Sequence, residues 1–198
     1  MPEFNRRQLF SLRLGDLTRE MGKALTADGE HEKQTDEGMR FPRPPGAISG
    51  ENAFLDTCER CHACARACPH DAISQYGPAF GRLEGGPYID PAEAPCHWCE
   101  DMPCIAACPS GALAREAEEP VAAIGTVTLD LNRCLNAQGI LCDTCSYRCP
   151  THVKAIRMVN RKPVLDVDEC VGCGMCVYHC DAEPPAFEFG PILKTTTD

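Results

Sequence analysis

Sixteen cysteines fall in four sets of four between Cys58 and Cys180. The last set, Cys170, Cys173, Cys176 and Cys180, runs C-x2-C-x2-C-x3-C, and the first set, Cys58, Cys61, Cys64 and Cys68, repeats it. Set two is Cys96, Cys99, Cys104 and Cys108, and set three is Cys134, Cys142, Cys145 and Cys149. Both keep the final x3 step, and Pro69, Pro109 and Pro150 come directly after the last cysteine of the first three sets. Three thiolates this closely spaced can grip three corners of one cubane iron-sulfur cluster, while a fourth, past a turn, points toward a second cube. The spacing therefore predicts all sixteen as ligands of four [4Fe-4S] clusters.

Two other uses of cysteine fit less well. Disulfides would suit a secreted scaffold, but clustered C-x2-C pairs without an apolar signal stretch suit metal better. Structural zinc wants pairs of C-x2-C knuckles, whereas these sets are triplets plus one. The chain of 198 residues has room for one or two small domains, not for a large catalytic core beside them. Its 43% apolar content includes the 16 cysteines. The hydrocarbon core is then thin, so metal binding must supply much of the folding free energy and the apo-protein should be largely unfolded.

The formal charge is -10, and four oxidised cubes on thiolates would add about eight negative charges more. So acidic a protein does not track a phosphate backbone, which argues against nucleic acid. A basic patch on a redox protein is the better complement. There is no nucleotide-binding glycine loop, no G-x-x-x-x-G-K-[ST] and no C-x3-C-x2-C triplet, so the reading is of an electron carrier without its own substrate site.

Around the cysteines the pattern is strand, cysteine loop, short helix, strand, an α+β repeat. Residues 125–132 and 163–167 alternate before Cys134 and Cys170, and short strands are expected to start at Ala72-Ile73, Ala112-Leu113 and Ala155-Ile156. In residues 1–26, Phe10, Leu14, Leu17, Met21 and Leu25 form an apolar helical stripe, a helix that packs on the core or docks on a partner. Arg6-Arg7 is like a twin-arginine export motif, but the charged residues after it make a poor apolar segment, so a cytoplasmic location is expected. Residues 27–50 read as a polar then proline-rich linker, 51–185 as the core and 186–198 as a tail. No apolar run is long enough for a membrane span.

Three stretches say more than spacing does. They are Arg43 to Ile48 together with Glu51 to Phe54; Pro95 to Cys104 with Cys108 to Leu113; and Cys134 to Asn136 leading to Gly139 to Asp143. Over residues 43–185 the chain resembles the NapF/NapG (MauM-like) ferredoxin-type proteins of periplasmic nitrate reductase systems. Asp181 departs from the usual proline after the last cysteine. The resemblance implies two nested dicluster ferredoxin-like modules, the outer from 51–80 and 160–185 and the inner from 88–159. Cys58, Cys61, Cys64 and Cys180 would hold one cube, and Cys170, Cys173, Cys176 and Cys68 the next. Cys96, Cys99, Cys104 and Cys149 would hold a third, and Cys134, Cys142, Cys145 and Cys108 the fourth. It also implies a redox partner, a molybdoenzyme catalytic subunit or a quinol-linked membrane subunit. Beside a free electron carrier stand two other roles: a permanent wiring subunit of a larger complex, and a cytoplasmic maturation factor.

Among the remaining residues, His62, His97 and His179 sit inside cysteine loops, where surface or supporting roles suit them because the sixteen thiols need no replacement. Trp98 and Tyr178 are expected to shield a cube from water. Met102-Pro103 and Leu135 to Leu141 enlarge two of the loops, either as partner contacts or as tolerated insertions. Glu30, Glu32, Asp36 and Glu37 belong to a solvated linker.

Overall fold

In the first and third sets, the proline next in the chain turns the fourth cysteine out of its own loop. Proline disfavours helical backbone in the residue before it, and Cys68 before Pro69 is extended at φ -72, ψ 115, as is Cys149 before Pro150 at φ -60, ψ 128. The computed structural model describes residues 41–115 and 120–190. The expected N-terminal helix, its arginine pair and the acidic stretch at 27–40 lie outside the described residues.

Among the described residues five short α-helices, one 3-10 helix (Pro78–Leu83) and six short strands form two successive modules. Helix α1 (Glu51–Thr57) buries Phe54 and Leu55 and ends at Cys58, and α2 (Ala63–Ala67) turns Cys64 inward. Strand β1 (Ser74–Gln75) pairs antiparallel with β2 (Pro87–Tyr88), bringing the chain back to set two. Helix α3 (Pro103–Ala106) opens on proline, whose fixed φ suits the first turn, and it packs beside α2. An antiparallel bridge of Ala47 with Leu113 closes this first module.

The second module has the same parts. Strand β3 (Thr126–Leu129) pairs antiparallel with β6 (Phe187–Gly190) as its outer ribbon. Between them lie α4 (Thr144–Arg148), the hairpin of β4 (Ile156–Val159) with β5 (Lys162–Leu165), and α5 (Met175–Tyr178), which packs on α4. The hairpin turn is Asn160-Arg161, both at positive φ (49 and 65), as the two-residue turn that matches strand twist requires.

The order of these pairings corrects the nested arrangement. The β1–β2 and β4–β5 ribbons tie set one to set two and set three to set four, so the modules succeed one another along the chain. Short ribbons close small loops, at less entropic cost than wrapping one module inside the other. Two boundaries move as well. Pro44 and Pro45 are among the most completely buried side chains, so residues 41–50 belong to the core and not to a linker, and β6 makes 187–190 a core strand and not a tail.

Arg43 joins the front of the first module to its middle. Its guanidinium lies over the Phe54 ring at 4.7 Å and the Tyr76 ring at 5.3 Å, pairs with the Glu51 carboxylate, and donates to the Pro87 carbonyl at 2.6 Å. Lysine would keep the charge but lose the planar fork and the stacking. Arg43→Lys is expected to cost about 1–3 kcal/mol, read as a lower denaturant midpoint for loss of cluster absorbance in the metal-loaded protein.

Candidate iron-sulfur centres

All sixteen cysteines are free, and they line four voids, four to each. Site A is ringed by Cys58, Cys61, Cys64 and Cys108 around ≈ 360 Å³. Site B has Cys68, Cys96, Cys99 and Cys104 around ≈ 340 Å³. Site C has Cys149, Cys170, Cys173 and Cys176 around ≈ 300 Å³, and site D has Cys134, Cys142, Cys145 and Cys180 around ≈ 320 Å³. Three cysteines of one set thus share a void with the fourth of another. The partner sets differ from those the resemblance implies: Cys108, not Cys180, completes the ring of Cys58, and Cys68, not Cys149, completes that of Cys96. Likewise Cys180 joins Cys134, and Cys149 joins Cys170. The physical reason is the ribbon order, which places the fourth cysteine of each set against its nearest neighbour along the chain.

The sites form a series. Helix α2, with Cys64 of site A, packs on α3, with Cys104 of site B; the Cys96 amide of site B donates to the Cys173 carbonyl of site C at 2.9 Å; and α5, with Cys176 of site C, packs on α4, with Cys145 of site D. The order is A, B, C, D.

The surroundings fit a cluster on thiolates. Among the described residues no three Cys, His, Asp or Glu side chains converge closely enough for a single ion. The thiols instead ring mostly apolar space lined by residues such as Ile89, Ile156 and Phe187. Backbone amides aim at sulfur: Trp98 donates to Cys96 Sγ at 3.4 Å, Leu113 to Cys108 Sγ at 3.4 Å, and Ala186 to Cys180 Sγ at 3.3 Å. Burial pushes the Cys96 and Cys173 thiols up to about 12 and those of Cys104 and Cys145 up to about 11. These thiols stay protonated at neutral pH unless a metal takes the proton's place. Burial also opposes ionisation of Cys108, but hydrogen bonds from Leu113 and the Ser110 turn outweigh it and lower its pKa.

Ser110 Oγ stands 3.7 Å from Cys108 Sγ. A hydroxyl donated to a cluster thiolate favours the more negative, reduced state. Ser110→Ala is expected to lower the potential of site A by roughly 20–40 mV, the one-electron equivalent of a weak hydrogen bond, measured by redox titration against the parent.

The other residues divide. Trp98, at φ 50, is buried between Cys96 and Cys99 in the chain, whereas Tyr178, expected like it to shield a cube, is 49% exposed and meets the edge of His179. His62 lines site A and His97 site B. The sequence reading missed His70, which stacks on His97 at 3.6 Å, nearly parallel, at the rim of site B. Only its place two residues beyond Cys68 could have suggested it. Burial, then His70, His179 and Arg148, depress the His97 pKa and keep that ring neutral. In the enlarged loop of set three, Ile140 and Leu141 are exposed.

Two four-thiol sites per α+β module, with the last ligand exchanged between neighbouring sets, define a ferredoxin-type iron-sulfur protein. Residues 126–181 match the family described as a 4Fe-4S dicluster domain, and residues 54–74 match the 4Fe-4S binding domain. The chain is 41% identical over 168 residues to the ferredoxin-type protein NapG of Escherichia coli, covering 78% of this chain and 72% of that protein. It is 38% identical over 171 residues to the methylamine utilization ferredoxin-type protein MauM of Methylorubrum extorquens, covering 80% and 76%. A more distant relative, 28% identical over 108 residues, is the thiosulfate reductase electron transfer subunit PhsB of Salmonella typhi, with 49% and 50% covered. The chain belongs to the NapG/MauM family of ferredoxin-type proteins.

Proposed function

We propose that the protein holds one [4Fe-4S] cluster in each of sites A to D and conducts single electrons along that series to or from a redox enzyme. The observation that carries this reading is the line of four thiol-ringed voids. Bound there, each cluster supplies a one-electron couple. The chain's own part is to hold it on four thiolates, keep water out with apolar walls, and set its potential through amide hydrogen bonds to sulfur. Iron content and EPR of protein purified without oxygen test the count. About sixteen irons per chain with interacting cubane signals are expected on reduction, and two cubes or fewer would remove the wire.

The resemblance to nitrate reductase accessory proteins makes a molybdoenzyme the favoured partner. The charge of -10 suits a basic docking face on it. A second reading, a permanent wiring subunit, draws support from the likeness to a relative named as an electron transfer subunit. The two separate on dilution: a transient carrier elutes alone at micromolar concentration, whereas a subunit with an obligate interface stays bound to its catalytic partner.

A further inference from the structure

The loop of set four presses directly on the first half of the molecule. The Cys96 amide donates to the Cys173 carbonyl at 2.9 Å, and the Ile124 amide donates to the Val171 carbonyl at 3.0 Å. Glycines flank Cys173 on both sides, and neither site has room for a side chain. At Gly172 (φ +67) a Cβ would stand 2.4 Å from the Gly125 carbonyl oxygen, and at Gly174 (φ +85) it would stand 2.5 Å from Pro91 Cβ. The positive φ angles alone disfavour other residues, but the steric closure adds a separate requirement. Pro91 belongs to the first module, so the Gly174 contact crosses the junction, while Gly125, just ahead of β3, fixes the other side of Cys173 within the second module.

We propose that Gly172 and Gly174 are positioning residues that hold Cys173 against Cys96, and that the hydrogen bond between these two ligands carries the electron from one half of the protein to the other. This rests on the four-cluster reading. The route runs through bonds from Cys173 Sγ along its side chain to the carbonyl, across the hydrogen bond to the Cys96 amide, and out to Cys96 Sγ. The site oxidised by one electron is C when B is reduced by one, or the reverse; no proton, ligand or further reactant changes hands. The tight junction explains why site B and site C, on different sequence repeats, are neighbours at all.

The test compares metal-loaded Gly172→Ala and Gly174→Ala with the parent and with Gly81→Ala. Gly81 also has positive φ (+52), but no atom lies within 4 Å of where its Cβ would be, so it controls for backbone strain alone. Three quantities are read: iron per chain, hydrogen exchange of the peptide containing Cys96, and spin-spin interaction in the reduced EPR spectrum. The junction variants should keep their iron, exchange the Cys96 amide about tenfold faster, and lose part of the intercluster interaction, while Gly81→Ala matches the parent. Unchanged exchange and interaction in an iron-replete junction variant would overturn the proposal. If Gly174→Ala loses iron, the double variant with Pro91→Gly decides. Relief of that contact should restore iron and move both readouts back toward the parent, and failure to do so counts against the junction role. A parent without four interacting cubes would instead sink the four-cluster reading itself, and the inference with it.

Discussion

Replacing Cys108 with serine should abolish the same spectroscopic centre as replacing Cys58, and replacing Cys180 should abolish the same one as replacing Cys142. Each pair lies in one ring, sites A and D respectively, although each spans two sequence sets. A serine hydroxyl is a poor iron ligand beside three thiolates, so each change should cost one cube, about four irons of roughly sixteen, or convert it to a labile centre. The nested arrangement makes the opposite prediction, with Cys58 and Cys180 sharing a loss. Paired variants, scored by iron content and the EPR signal that disappears, separate the two groupings. Serine is nearly isosteric with cysteine, so a change confined to one centre reads ligation and not general misfolding. A loss common to Cys58 and Cys180, with Cys108 unaffected, would reject the ring geometry described above.

Removing the iron should unfold the described region almost completely. Much of the buried surface is thiol: Cys64, Cys96, Cys104, Cys134, Cys145, Cys173 and Cys176 are all core residues, and they face voids. Without a cluster these walls have no partner atoms across the gap, and the remaining hydrocarbon core is divided between two small groups around Phe54 and Phe187. Chelation under mild oxidation should therefore abolish most far-ultraviolet circular dichroism and leave backbone amides unprotected, a loss of the whole folding free energy. Retained secondary structure and protected amides in iron-free protein would show that the polypeptide core suffices.

Protons act with opposite sign on any residual metal-free fold and on the loaded protein. In a metal-free fold the raised thiol values mean that Cys96, Cys104, Cys145 and Cys173 favour the folded state while protonated. That contribution is whole below their ordinary value of 9.0 and is lost as pH rises toward about 11–12. In the loaded protein protons compete with iron for the same sulfur atoms, so stability falls toward acid. Denaturant midpoints of the loaded protein across the pH range should fall toward acid, and any structure retained without iron should be lost toward alkali instead.

The thiols that ring the voids stood out in the sequence by their spacing, and the x3 step, with proline after it in three sets, pointed to the departure of the fourth cysteine. Its destination was not legible. It depends on which ribbons form, and β1 and β2 are two residues each, too short to carry an alternating pattern. The longer strands were easier: the expectations at 125–132 and 163–167 met β3 at Thr126–Leu129 and β5 at Lys162–Leu165. Proline misled at 41–50, since a proline-rich stretch looks like a surface linker whether or not its rings are buried. Pro44 and Pro45 are covered by the first module, a tertiary fact with no local signature.

Modules that succeed one another along the chain also have a consequence for synthesis. Every thiol of sites A and B lies between Cys58 and Cys108, and every thiol of sites C and D between Cys134 and Cys180. Once the ribosome has passed the bridge residue Leu113, the first half has all the thiols it needs to accept iron, while the second is still unmade. Loading can therefore proceed in the order of translation, and Cys58 never has to wait as a bare thiol for the far end of the polypeptide to emerge.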